Sequence, residues 1–349
     1  MEVKTYQCPH CGAPLTFSSE SQKWDCEFCL SSFELSEVEG KKTETAPAPE
    51  RFESAVESEE QTNLRSYICP QCGAEIVTDE TTAATFCVFC GNPAVLMKQL
   101  EGSFRPELVI PFNKNKEDAV AAFLKLCRRP LVPRSFIAKE RLEKITGVYV
   151  PFWLYDCDAG AQIGANAQRV RSWSDRHYRY TKTDYYHIVR SGRMNFFRVP
   201  ADGSTDMDDA MMDSLEPFDY TSIVPFSTAY LSGYLARRYD VDDRDSYPRV
   251  EERIRSTCED ELCATIGGYA GVQVTHRNFD LRTRKAAYAL LPVWMLVSKY
   301  GGKEYHFAMN GQTGKIIGTL PVSKKRAAAW FFGLLGSIIA AFLLGGMLF

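Results

Sequence analysis

The ten residues YQCPHCGAPL at positions 6–15 return almost unchanged as YICPQCGAEI at positions 67–76. Each copy opens a C-x2-C-x14-C-x2-C frame: Cys8, Cys11, Cys26 and Cys29 in the first, Cys69, Cys72, Cys87 and Cys90 in the second. Pro9 and Pro70, Gly12 and Gly73, and Phe28 and Phe89 match as well. A Cys-x-x-Cys turn sets two thiolates on one edge of a tetrahedral metal site. The fourteen residues between suit a hairpin that returns the chain to the metal: PLTF, the turn SSESQK, then WDCEFC. A unit of ~30 residues buries too little apolar surface to fold alone, and a structural Zn²⁺ supplies ~10–16 kcal/mol of apparent binding energy instead. The frame therefore predicts two zinc ribbons, residues 1–35 and 66–98, each with one structural ion. Iron in a rubredoxin-like site suits the same four thiolates, and free or disulfide-linked thiols are the other alternative. With all four positions taken by cysteine, no water could bind for hydrolysis, so the sites read as structural. One asymmetry stands out: Gly91 follows Cys90, but Leu30 follows Cys29.

The start, MEVKTYQCPH, has neither a cationic n-region nor an apolar h-region, which implies a mature cytosolic chain. Clustered cysteines in a reducing compartment favour metal over disulfides. The 349 residues allow two or three folded units, and a net charge of −3 shows no global basic bias. Charge also bears on what the ribbons meet. Residues 1–35 carry Lys4 and Lys23 against Glu2, Glu20, Asp25, Glu27 and Glu34; residues 66–100 carry Lys98 against Glu75, Asp79 and Glu80. Phosphate binding draws on Lys and Arg, so the ribbons predict protein partners and disfavour nucleic acid.

Residues 36–65 are acidic and rich in Pro, Ser, Thr and Ala, the composition of a self-repelling tether on which the first ribbon could swing. A partly helical ERFESAVESEEQ is the alternative. Residues 104–322 change texture to apolar segments separated by turns. NKEDAVAAFLKLCRR reads as a helix capped by Asn115, and TDMDDAMMDSL and SYPRVEERIRSTCEDELCATI as two more, the last with Pro248 in its first turn. GVYVPFWLYDCDAGAQIGANAQRV, YYHIVRSGRMNFFRV, AAYALLPVWMLVSKY and KEYHFAMN read as strands. Such runs predict a mixed or antiparallel α+β domain. Ile110-Pro111-Phe112, Val150-Pro151-Phe152, Val224-Pro225-Phe226 and Leu291-Pro292-Val293 recur in an A-B-A′-B′ order, with Trp153 and Trp294 placed alike. An internal duplication and a chance recurrence of proline-led strands both explain this.

No catalytic signature is present, so the expectation is a non-enzyme without a small-molecule substrate. NGQTGKI lacks phosphate-loop spacing, with Ile316 where a hydroxyl belongs. His10 sits inside a knuckle as a spacer, and Cys127, Cys157, Cys258 and Cys263 read as small core residues. Residues 169–198 are the richest surface: Arg169, Arg171, Arg176, Arg179, Lys182, Arg190, Arg193 and Arg198, interleaved with Trp173, Tyr178, Tyr180, Tyr185, Tyr186, Phe196 and Phe197. Alternation across a hairpin could put cations on one face and rings on the other. Anionic lipid, RNA and plain solvent are all compatible with that face.

From Ala327 to Phe349 no residue is charged, and Lys324, Lys325 and Arg326 precede the run. About 34 Å of helix would cross a bilayer, which predicts a C-terminal transmembrane anchor at residues 327–349 with everything before it cytoplasmic. Gly333, Ser337, Ala341 and Gly345 form a small-residue stripe suited to another membrane helix. The two ribbons, VPFWLYD, FAMNGQTGKIIGTLPVS and this tail resemble a bacterial family of tail-anchored double zinc-ribbon membrane proteins associated with phage-shock and envelope-stress proteins. That resemblance implies an inner-membrane scaffold that recruits protein partners next to lipid. A membrane-tethered nucleic-acid-binding regulator is the alternative.

Overall fold

The computed structural model describes residues 3–39, 64–137 and 142–346, and for 340–346 only the backbone. Most of the expected tether, residues 36–65, lies outside the described residues. The first ribbon holds β1 (Val3–Lys4), β2 (Thr16–Phe17), β3 (Trp24–Asp25) and β4 (Ser32–Phe33), then a short α1 (Leu35–Glu39). The second holds β5 (Leu64–Ile68), β6 (Glu75–Asp79), β7 (Thr82–Phe86) and β8 (Pro93–Leu96). After them come β9 (Leu108–Val109), α2 (Lys116–Cys127), β10 (Thr146–Ser174), β11 (Arg179–Asp202) and α3 (Asp209–Ser214). The chain continues through β12 (Val224–Pro225), β13 (Leu235–Arg237), α4 (Asp243–Ala264), β14 (Gly271–Tyr300), β15 (Lys303–Asn310), β16 (Ile316–Gly318) and α5 (Lys324–Gly346). The fold is α+β, and its sheet is mixed: β10 and β13 run parallel, the other recorded pairs antiparallel.

Two compact units divide the chain: Met1–Val150 with Met207–Arg238 and Leu290–Phe349, and Pro151–Asp206 with Tyr239–Ala289. In the first, the ribbons are built in. β1 pairs with β8, β8 with β7, and β7 with β13. The β2–β3–β4 sheet of the first ribbon docks by Trp24, whose indole N–H donates to the Ala229 carbonyl at 2.8 Å. Phe17 and Trp24 both pack on Tyr230, with ring centroids 5.2 Å away. Burial of these rings outweighs the freedom of a tethered module, so the ribbon is seated, not swinging. Elsewhere in this unit α2 covers β14 and β15 through Phe123, which meets Phe307 edge-on at 5.0 Å.

The second unit is the long β10–β11 hairpin with the first half of β14 and α4. Tyr155, Cys157, Ala159, Ala161 and Ile163 of β10 alternate onto one face, where Val250, Ile254, Cys258 and Leu262 of α4 seal them. The recurrence is i, i+4, i+8 and i+12 along α4, one helical stripe. Cys157 and Cys258 are thus core residues, as expected.

The proline-led strands share more than sequence. In the second unit the Trp153 indole donates to the Val241 carbonyl at 2.9 Å, just ahead of Asp242, which caps α4. In the first, the Trp294 indole donates to the Lys114 carbonyl at 2.9 Å, just ahead of Asn115, which caps α2 with a full capping box. Gly203 N–H donates to the Pro151 carbonyl at 2.9 Å, and Gly311 N–H to that of Pro292 at 2.8 Å. A Cβ on Gly203 would press to 3.2 Å from the Trp153 Nε1, and one on Gly311 to 2.6 Å from Phe112. In both units a strand tryptophan thus bonds to the residue ahead of a helix cap, and a crowded glycine donates to the carbonyl of the strand's proline.

Three expectations change. Helix α4 begins at Asp243, a turn earlier than the proline implied, because Asp242 accepts from the N–H groups of Arg244 and Asp245 at 2.9 and 2.8 Å. The polar stretch from Gly271 to Ala286 is strand, unrecognised because its apolar alternation changes phase between Val274 and Phe279, both of which pack on the core. The third is the membrane anchor. Among the described residues no helix is long and apolar enough to cross a membrane. Helix α5 opens on Lys324, Lys325 and Arg326. The side chains of Ala341 and Gly345 in the small-residue stripe, and residues 347–349, lie outside those described. The transmembrane helix, the inner-membrane location with a cytoplasmic N-terminal region, and the membrane partners built on them are therefore withdrawn.

Candidate metal centres

Four turns of one design hold the eight cysteines. Gly12 N–H donates to the Cys8 carbonyl, Leu30 to Cys26, Gly73 to Cys69 and Gly91 to Cys87, all at 2.8–2.9 Å. Each turn needs a left-handed residue after its second cysteine: φ is +76° at Gly12, +74° at Gly73, +73° at Gly91 and +59° at Leu30. Glycine takes that conformation freely, whereas an L side chain costs roughly 1–2 kcal/mol. The odd leucine of the sequence is therefore a strained residue.

These turns bring Cys8, Cys11, Cys26 and Cys29 into one group and Cys69, Cys72, Cys87 and Cys90 into another, all sulfurs of a group lying within 4.8 Å of one another. Across the first site Cys8–Cys29 and Cys11–Cys26 are both 3.5 Å apart, and in the second Cys69–Cys90 and Cys72–Cys87 are both 3.7 Å. A tetrahedron with metal–sulfur bonds of ~2.3 Å has edges of about 3.8 Å, while a disulfide would need ~2.05 Å. The geometry fits one metal ion per site and leaves the thiols unbridged. The first cysteine of every knuckle is buried and the second exposed.

Within each group the thiols split: one is favoured as the thiolate that binds metal, while its neighbours push Cys11 in the first and Cys90 in the second up to about 12. The Ser31 hydroxyl and N–H hold the Cys29 thiol down to about 6. Burial opposes ionisation of Cys87, but the N–H groups of Cys90 and Phe89 bring it to about 7. His10 is no ligand. Its Nδ1 lies 3.0 Å from the Ser31 hydroxyl, and its ring stands edge-on to Phe33 at 5.1 Å. Beside the outer thiols protrude large apolar side chains: Phe28 is 75% exposed, Leu30 86%, Val88 84% and Phe89 72%.

The basic-aromatic stretch forms the β10–β11 hairpin, and its register overturns the expected segregation. Arg171 faces Lys182 and Trp173 faces Tyr180, so rings and cations share one face. On the opposite face a polar groove of about 450 Å³, missed in the sequence, is lined by Asp158, Gly160, Arg193, Asp280, Arg282 and Arg284. Its charges are mostly paired, Arg284 with Asp158 at 3.3 Å and Arg282 with Asp280 at 3.1 Å.

No family model matches the chain, and no solved structure matches it. The uncharacterized protein YdjG of Bacillus subtilis (strain 168) is 36% identical over 340 residues, covering 97% of this chain and 96% of that protein. The chain belongs to the YdjG family. Since the match spans nearly the whole length, the YdjG family is recognised by the full layout and not by one ribbon.

Proposed function

We propose that this protein is a non-enzymatic scaffold that docks protein partners through two structural zinc ribbons, with the α+β domain as a second binding surface. The observation that carries the reading is the equivalent exposure of Phe28 and Phe89, each on a turn held rigid by four-thiol geometry. Aromatic anchors on preorganised turns are what protein interfaces use to gain affinity at low entropic cost. The metal is taken as zinc, the usual occupant of a closed four-thiolate structural site. Around the first knuckle Glu20, Asp25, Glu27 and Glu34 outnumber Lys23, and Lys23 is itself paired with Glu34 at 2.9 Å. The partner is accordingly a protein with an apolar pocket rimmed by Lys or Arg. The tryptophan and glycine contacts shared by the two units support an origin by internal duplication.

The test is affinity capture with the full-length protein and a Phe28→Ala/Phe89→Ala variant that still binds two ions. Loss of specific partners in the variant, with the fold intact, is expected. An unchanged partner set overturns docking through the knuckles.

A further inference from the structure

The end of the β10–β11 hairpin carries a surface that docking through the ribbons does not use. Cross-strand pairs Arg169–Asp184, Arg171–Lys182 and Trp173–Tyr180 lie on the face that α4 covers farther down, beyond the reach of the helix. Trp173 and Tyr180 stack at 5.6 Å with only 16° between planes, and they are 53% and 40% exposed. Arg169 lies over the Tyr186 and Tyr269 rings, 5.6 and 5.2 Å from their centroids, and the two rings meet edge-on at 5.4 Å. Along about 13 Å of strand the Trp173–Tyr180 row of rings is therefore followed by the Arg171–Lys182 row of cations and then by Arg169.

The acids nearby are already engaged. Asp175 accepts from the His177 and Tyr178 N–H groups at 2.8 and 2.7 Å and from the Tyr180 hydroxyl at 2.9 Å, which closes the turn. Asp184 is paired with Lys182 at 3.1 Å. Among the described residues, Arg171, Arg176 and Arg179 have no acidic partner. Free guanidinium groups beside exposed ring faces complement a chain of phosphates with unstacked bases. Trp and Tyr also suit a lipid interface, but near-parallel rings with open outer faces match the platforms on which successive bases stack.

We propose that this face of the hairpin binds single-stranded nucleic acid, with Arg171 and Lys182 on phosphates and Trp173 and Tyr180 stacking on bases, without sequence preference.

The experiment is fluorescence anisotropy of a labelled oligo(dT) or oligo(rU) of about twelve nucleotides, within the span of one single-strand module, titrated with the full-length protein at several salt concentrations. Binding should weaken steeply with salt. Arg171→Gln/Lys182→Gln should flatten the log–log salt slope by about 1.4, at ~0.7 per lost phosphate contact. Trp173→Ala/Tyr180→Ala should weaken binding by at least about fivefold with the slope unchanged, and Trp173→Phe should restore most of it. Phe28→Ala/Phe89→Ala should bind like the parent, which separates this proposal from docking through the ribbons. No binding by the parent at low salt, or equal binding by all variants, overturns it. So does hairpin-dependent binding to phosphatidylglycerol vesicles without binding to the oligonucleotides.

Discussion

The two ribbons share one ligand frame and one knuckle design, yet they are fixed to the protein by different means. The second is held by backbone: β7 pairs with β13 and β8 with β1, so its hairpin is part of the main sheet. The first joins the main sheet only through the two residues of β1 and keeps its other three short strands as a separate sheet, seated largely by side chains, Trp24 on Ala229 and Tyr230 above all. Identical metal chemistry can thus be a support for a sheet or a separate head seated on it. Loss of metal should have unequal consequences at the two sites.

The largest contrast is expected from ligand removal. Cys87→Ser opens the site that closes β7 onto β8 and should lower the main unfolding transition by about 10 °C or more, because several kcal/mol are lost with a structural ion. Cys26→Ser should leave that transition within a few degrees and show itself as protease sensitivity confined to residues 3–39. Equal shifts in differential scanning calorimetry would break the comparison. Next in size is Trp24→Ala, which removes a buried indole and its hydrogen bond at a cost of about 3–5 kcal/mol. Hydrogen exchange should rise across the first ribbon while both ions stay bound.

The smallest effect sharpens the comparison at a single backbone angle. Leu30→Gly should stabilise the first site by about 1 kcal/mol, since Leu30 is 86% exposed and gives up strain with little packing. Gly91→Leu should weaken the second by about 1–2 kcal/mol. Release of metal to a chromogenic chelator reads both: slower than the parent for the first variant and faster for the second.

What could be read in the sequence follows the distance over which each interaction acts. Metal ligands are set by spacing along a few residues, so all eight cysteines could be assigned and grouped in advance. Asn115 as a helix cap is equally local. The interactions of Trp153 and Trp294 are not. Helix α2 precedes β10 in the chain but packs on β14 and β15, and α4 precedes β14 but packs on β10 and β11. That exchange gives the Pro151 and Pro292 strands matching surroundings; the sequence shows the recurrence of the prolines and tryptophans but not which helix each strand meets. Arg171 and Trp173 are two residues apart and so share a side in any strand; only the register shows that Lys182 and Tyr180 face them. The C-terminal run shows the converse hazard, because absence of charge was read as a span that the described helix does not provide.

The central claim is that each four-thiol cluster holds one structural zinc ion. Native mass spectrometry of the full-length protein, purified without chelator and compared with Cys26→Ser and Cys87→Ser, tests it most directly. The expected masses correspond to two zinc ions in the parent and one in each variant. A metal-free parent, disulfide-linked cysteines, or iron in place of zinc would contradict it.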